Sequence, residues 1–243
     1  MAAHRRARNP LDTAGKLLTD LDQGTLTLTL NRPDKLNAID NELAEALLLA
    51  LLGAREDASV RVVRLRGHGR AFCAGRDVGA PPTEQDLVLV QAVSEAIVRH
   101  PRPVLAEVHG WTVGAGLEWM LNADIVLAAD STRFKLPEAS LGVFVTGGLT
   151  ATLPAMAGLA RAKALMLLGD EFSAGEARDW GLIWQVVPDD ALQATGLQLA
   201  QRLANLRPEV ATQFKRVLNQ IGLTAFDNAV AEESKVQRHL QNG

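Results

Sequence analysis

One stretch, Glu107 to Ala129, constrains the fold more than any other part of the chain. It opens inside an apolar run over 103–108 that reads as a buried strand, turns at His109-Gly110, and carries Gly114-Ala115-Gly116. Leu117, Met120 and Leu121 then recur at the spacing of one helical face. A second apolar run over 124–129 reads as another buried strand. Small residues just before a helix leave backbone N–H groups open to a ligand, and at the positive end of a helix dipole such groups favour negative charge. Glu118 falls in the first turn of that helix. A carboxylate beside such donors, framed by apolar side chains, suggests acid/base work on a carbonyl compound. Gly-Ala-Gly alone is weak evidence, since most short glycine clusters are turns and most helical glutamates are solvated.

The rest of the chain places this stretch in an α/β pattern. Residues 1–15 read as a loose leader. Strands are expected over 17–20 and 25–31, the second alternating threonine and leucine with the period of a half-buried strand. Asp40 or Asn41 can cap a helix whose apolar face is Leu43, Leu47, Ala50 and Leu51, with Gly53 and 57–59 ending it. A strand over 60–66, a glycine-rich loop over 67–78, a mobile segment over 79–86 and a helix over 87–99 follow. After residue 131 a short strand leads to a second glycine-rich loop at Gly147-Gly148, which either closes around a ligand or makes a tight turn. Helices are expected over 149–157, 160–168, 174–179, 189–204, 208–221 and 224–240, with a strand over 183–187.

Composition narrows the class. The chain has 243 residues, 47% hydrophobic and 22% charged with a net charge of −3, the profile of one large globular domain or two small ones. A single cysteine, Cys73, allows no internal disulfide and fits a reducing, cytoplasmic setting. No apolar run is long enough for a membrane span. Slight acidity without a lysine-rich run argues against a nucleic-acid partner. Cys73 reads as a packed side chain, His4, His100 and His239 as surface residues, and Trp111 and Trp119 as core or pocket-lining groups. His68 and His109 flank glycines, but no carboxylate motif marks either as a base.

Several segments together resemble one known family. Ala71-Phe-Cys-Ala-Gly-Arg-Asp77 looks like the first oxyanion loop of the crotonase (enoyl-CoA hydratase/isomerase) superfamily, and Gly110 to Asp124 resembles its second, glycine-rich loop. Asn31-Arg-Pro-Asp-Lys-Leu-Asn-Ala38, Phe134-Lys-Leu-Pro-Glu138 and 174–182 match further landmarks in the same order, so the likeness covers about 17–240. It implies a spiral of ββα turns over 16–188 that bears the catalytic loops. A helical C-terminal region over 189–243 drives assembly into a homotrimer or a dimer of trimers, all within one structural domain.

The resemblance further implies an acyl-CoA thioester substrate, with coenzyme A as part of the substrate, no separate cofactor and no metal. The thioester oxygen would be held by the backbone N–H groups of Arg76 and Ala115, because proton transfer next to that carbonyl passes through an enolate. Glu118 and Glu138 match the family's two acid/base glutamates, assigned here to water activation and proton donation. Lys35, Ala74, Gly75, Asp77 and Gly114 are expected around the bound substrate, with Asp77 anchoring its loop and Lys35 near the CoA phosphates. The pair of glutamates favours hydration of a 2-enoyl-CoA. The alternatives are double-bond isomerisation or thioester hydrolysis on the same site, or a non-catalytic CoA-binding scaffold. Two departures stand out. Members usually carry a further C-terminal helix that helps cover the CoA site, whereas this sequence stops at Gly243. The segment over 78–99 is short, which bears on the shape of the acyl pocket.

Overall fold

The computed structural model describes residues 15–79 and 83–242. Apart from Gly15, the expected leader lies outside them. A hairpin of β1 (Leu17–Asp22) and β2 (Thr25–Leu30) starts the chain. In β2 the leucines are buried while Thr27 and Thr29 are half-buried, as the alternation predicts. Helix α1 (Asn41–Glu56) follows, with the Asp40 side chain accepting the Leu43 N–H at 2.9 Å. Next come β3 (Val62–Gly67), α2 (Glu84–Val98), β4 (Val104–Val108), β5 (Trp111–Val113), α3 (Ala115–Leu121), β6 (Ile125–Ala129), β7 (Arg133–Lys135) and α4 (Glu138–Leu141).

These elements repeat one pattern: a strand of a large sheet, a short segment of a small sheet, and a helix. The large sheet runs β1-β2-β3-β4-β6 and then β9 (Gln185–Val187); it is parallel except for the β1–β2 hairpin. The small layer stacks in parallel through the bridges Ile39–Arg76 and Cys73–Thr112 and the β5–β7 pair. Its last member is β8 (Phe172–Ser173), antiparallel to β7. The remaining helices are α5 (Leu149–Ala157), α6 (Leu159–Leu168), α7 (Ala174–Asp179), α8 (Leu192–Ala204), α9 (Pro208–Gly222) and α10 (Phe226–Asn242). This is the expected α/β class, with a helical C-terminal region.

The central strands β4 and β6 are buried on both faces, which is why they read as nearly continuous apolar runs. One face packs on the main core, where Trp119, Phe72 and Phe134 are among the largest fully enclosed side chains. The other is covered by α8, which presents Leu192, Ala200 and Ala204 to Val62, Leu105 and Leu127.

Five local expectations need correction. Gly53 does not end α1: Leu51 and Ala54 are buried, and that packing carries the helix to Glu56 despite a glycine cost of about 1 kcal/mol. The helix expected from residue 87 begins at Glu84, because Thr83 and Asp86 form a reciprocal capping box; residues 84–86 therefore belong to a helix rather than to a mobile segment. Asp189–Ala191 is a separate 3-10 turn before α8. His100 is buried rather than superficial: α9 covers it, its Nδ1 accepts the Arg102 N–H at 3.1 Å, and burial lowers its pKa to about 4. Trp111 sits on β5 with 37% of its surface exposed, neither in the core nor lining the site described below.

Candidate active site

The loop after β3 is built on the 31–38 segment. Asn37, in a left-handed conformation, donates through Nδ2 to the carbonyls of His68 and Ala71 at 2.8 Å. The Leu36 carbonyl accepts the Ala74 N–H at 3.0 Å. Arg32 Nη2 pairs with Asp77 at 2.9 Å and Asp40 at 3.2 Å. The hydrogen bond from Arg32, helped by the Gly79 N–H, holds the Asp77 carboxyl below its ordinary value. Ile39 donates to the Gly75 carbonyl and accepts from the Asp77 N–H, both at 2.8 Å. Residues 75 and 77 thus form the pairing edge, and the Arg76 N–H between them faces the opposite edge. The Arg76 side chain turns away to Asp86 of α2 at 2.9 Å.

The second loop crosses directly against the first. Gly75 has φ +88°, and a Cβ there would lie 2.9 Å from the Val113 carbonyl oxygen and 3.8 Å from the Ala115 nitrogen. Gly114 adopts φ +51°, ψ −127°, a conformation restricted to glycine. Ala115 is the first residue of α3, where a helix offers its N–H no acceptor. The two loops therefore bring the peptides of Arg76 and Ala115 side by side.

The glutamates converge for a local reason. The Gly114 N–H donates to the Lys135 carbonyl at 3.0 Å, which fastens the start of α3 to the end of β7. Glu118 lies one helical turn beyond the first of these residues and Glu138 three residues beyond the second. A Cβ on Gly114 would come within 2.7 Å of Glu138 Oε1. Glu118 is 2% exposed and accepts from the Gly147 N–H and from the Thr146 N–H at 3.2 Å. Burial first, then the charges of Glu233 and Glu138, push it well above the ordinary glutamate value, while the two amides pull the other way. Burial raises Glu138 to about 7, and its enclosed Oε2 has no hydrogen-bond partner among the described residues.

Both carboxyls open on a cavity of about 550 Å³. Ala74, Gly75, Arg76, Gly114 and Ala115 form its polar wall, and Leu87, Val90, Leu141, Val143 and Phe144 its apolar one. Of the expected site residues, Lys35 and Asp77 do not line it: Lys35 is exposed on the turn Pro33–Lys35, and Asp77 lies behind the wall on Arg32. Such a cavity, lined by both peptide donors and both carboxyls, suits proton transfer next to a carbonyl group.

The sequence profile of the enoyl-CoA hydratase/isomerase family matches residues 20–243. The chain belongs to that family. Among curated members, the 1,2-epoxyphenylacetyl-CoA isomerase of Escherichia coli (strain K12) is 38% identical over 232 residues, covering 91% of this chain and 88% of the relative. The 2,3-dehydroadipyl-CoA hydratase of the same strain is 32% identical over 226 residues, with the same coverage of each. Among solved family structures, an enoyl-CoA hydratase from Mycobacterium avium subsp. paratuberculosis K-10 superposes with a TM-score of 0.89 at 31% identity, covering 94% of this chain and 91% of that one.

Within this enoyl-CoA hydratase/isomerase frame, sequence reasoning missed the contribution of α10. Glu233 is 1% exposed beside the site, and Gln237 and Gln241 line the cavity. A signal was present: Glu233 and Gln237 share helical spacing with the apolar Phe226 and Ala229, which places both polar side chains on the buried face. Gly147-Gly148 does more than make a turn. Its two amides are directed at Glu118 and Glu233.

Proposed function

We propose that the protein hydrates a 2-enoyl-CoA thioester. The observation that carries this reading is the pairing of two largely desolvated carboxyls, Glu118 and Glu138, on one cavity that Arg76 and Ala115 also line. Glu118 takes a proton from water as the water oxygen bonds to the β-carbon. The double-bond electrons move to the thioester oxygen, which the two N–H groups stabilise, and the enolate collapses as Glu138 delivers a proton to the α-carbon. High proton affinity suits a base that must deprotonate water, and the Thr146 and Gly147 amides stabilise Glu118 in its charged form. A value near 7 suits Glu138 to give up a proton at neutral pH. The cycle uses the form in which the two carboxyls hold one proton between them. This chemistry calls for no cofactor beyond the coenzyme A of the substrate.

A second reading is isomerisation rather than hydration: the relative at 38% identity is named a 1,2-epoxyphenylacetyl-CoA isomerase, and double-bond isomerisation is the form that a 3-enoyl-CoA probes. It uses the same oxygen site, with one carboxyl moving a proton between two carbons. Assembly as a homotrimer is supported by α9, which leaves Phe214, Leu218 and Ile221 about two-thirds exposed on one face; the enclosed lone thiol fits a cytoplasmic setting.

The test is the loss of crotonyl-CoA absorbance by wild type, Glu118→Gln and Glu138→Gln. Activity that either change abolishes without unfolding supports hydration. A wild type that binds CoA and converts only a 3-enoyl-CoA selects the isomerase. A folded protein that binds no CoA sinks both.

A further inference from the structure

The segment between α4 and α5 carries the amides that hold Glu118, and it has no regular structure of its own. Three side chains from elsewhere fix it. Asn122 Nδ2 donates to the Gly147 carbonyl at 2.9 Å, and Gln237 Oε1 accepts the Phe144 N–H at 2.7 Å. Glu233 makes the most contacts: its carboxylate accepts the Gly148 and Thr150 N–H groups at 2.7 Å each and the Thr150 hydroxyl at 2.6 Å.

Glu233 does this at a place where the local sequence has no cap to offer. Gly148 is the N-cap of the nine-residue α5 and has no side chain to satisfy the first amides. Its φ of +80° is left-handed, and a Cβ there would run into the Phe226 ring at the start of α10. Glu233 therefore supplies a cap from across the structure, and its charge meets the positive end of the α5 dipole. The Gly147 amide on Glu118 and the Gly148 amide on Glu233 are consecutive, so a shift of one carboxylate is passed to the other through a single peptide.

We propose that Glu233 is a positioning residue of the active site, the buried anchor that sets the Thr146 and Gly147 amides against Glu118. The proposal rests on the reading of Glu118 as a catalytic carboxyl. Electrostatics point the same way. The charged groups acting on Glu118 are Glu233 from α10 and Glu138 from α4, with Glu233 the larger influence; α2 faces it with the Ser94 hydroxyl, near Gly147. Burial raises the proton affinity of Glu233 itself, and its three donors oppose that. Glu233 thus fixes the geometry of Glu118 and helps keep its proton affinity high.

The experiment compares wild type, Glu233→Gln and Glu233→Asp in crotonyl-CoA hydration across pH, with the carboxyl-carbon NMR titration of Glu118 followed without substrate and assigned by its loss in Glu118→Gln. Glu233→Gln is expected to leave KM within about twofold, to lower kcat about ten- to hundredfold, and to move the Glu118 titration down by about one pH unit. Glu233→Asp keeps the charge and is expected to restore the titration and part of kcat. A folded Glu233→Gln protein with unchanged kcat and an unchanged Glu118 titration overturns the proposal, as does a folded Glu233→Asp protein that restores neither. If Glu233→Gln does not fold, Glu233→Asp alone decides: a lowered kcat with the titration preserved supports the role, and wild-type kcat refutes it. If wild type shows no hydration, the proposed activity fails, while the substrate-free titration still judges Glu233.

Discussion

Replacing Glu138 with glutamine should abolish activity and at the same time make the protein more stable at alkaline pH. Burial raises the Glu138 carboxyl from 4.5 to about 7 in the folded protein. A raised value means that the folded state binds the proton more tightly than the unfolded chain. The associated stability is fully present below about pH 4.5 and is lost as pH climbs through 7. At about 1.36 kcal/mol for each pH unit between the two values, the loss has a ceiling of about 3 kcal/mol. The carboxyl is partly open to the cavity, which reduces this to about 2 kcal/mol. Glutamine has nearly the same shape and never ionises, so Glu138→Gln escapes the loss. Urea unfolding at pH 5 should show the two proteins close together, and at pH 8.5 the variant should be ahead by about 2 kcal/mol, while crotonyl-CoA turnover falls at least about a hundredfold. A stability difference that is the same at both pH values would refute the claim that Glu138 is held as a desolvated carboxyl.

Three other outcomes follow from particular contacts. Gly114→Ala should cost about 1–3 kcal/mol through its left-handed backbone and should depress kcat, since the new methyl meets Glu138 Oε1; a Gly114→Ala protein with wild-type kcat and Tm would contradict the geometry. Lys215→Met should cost about 1–3 kcal/mol in thermal unfolding, because Asp124, 2.8 Å from the ammonium, would lose its charged partner and keep only the Val104 N–H. Phe214→Glu together with Ile221→Glu should leave the fold intact and convert a trimer to monomers in analytical ultracentrifugation, because both side chains lie on the exposed apolar face of α9; a wild-type protein that is already monomeric rules out this role for the face.

Much of the fold is legible because period and capping agree in it. The Thr-Leu alternation of β2 and the Asp40 cap of α1 were readable from their own residues. What escaped depends on distant partners. β5 is three residues long and exists because β7 lies alongside it. His100 looks like a surface residue until Lys215 and the rest of α9 close over it. At the site, Glu118 was marked by its glycine-rich segment and Glu138 by the likeness of Phe134-Lys-Leu-Pro-Glu138 to a family landmark, whereas Glu233 sits in Ala-Glu-Glu-Ser-Lys, which reads like any solvated helix. Only its phase with Phe226 and Ala229 separates it from its neighbour Glu232, which is exposed and pairs with Lys235 at the surface.

The choice of partners around these carboxyls has a consequence for the chemistry. Buried ionised groups are ordinarily compensated by opposite charge, and this chain does so elsewhere: Arg64 meets Glu107 beneath α8, and Lys215 meets Asp124. At the cavity the compensation is of another kind. The hydrogen bonds that Glu118 and Glu233 accept come from backbone amides and one hydroxyl, while the nearby guanidinium of Arg76 is paired with Asp86. A guanidinium on Glu118 would stabilise its charged form strongly and lower its proton affinity, against the role of base proposed for it. Amides give the carboxylate direction without a full positive charge, so the group stays both fixed and basic. Holding several amides in place requires an anchor outside the segment that bears them, and α10 supplies it through the buried Glu233 and Gln237.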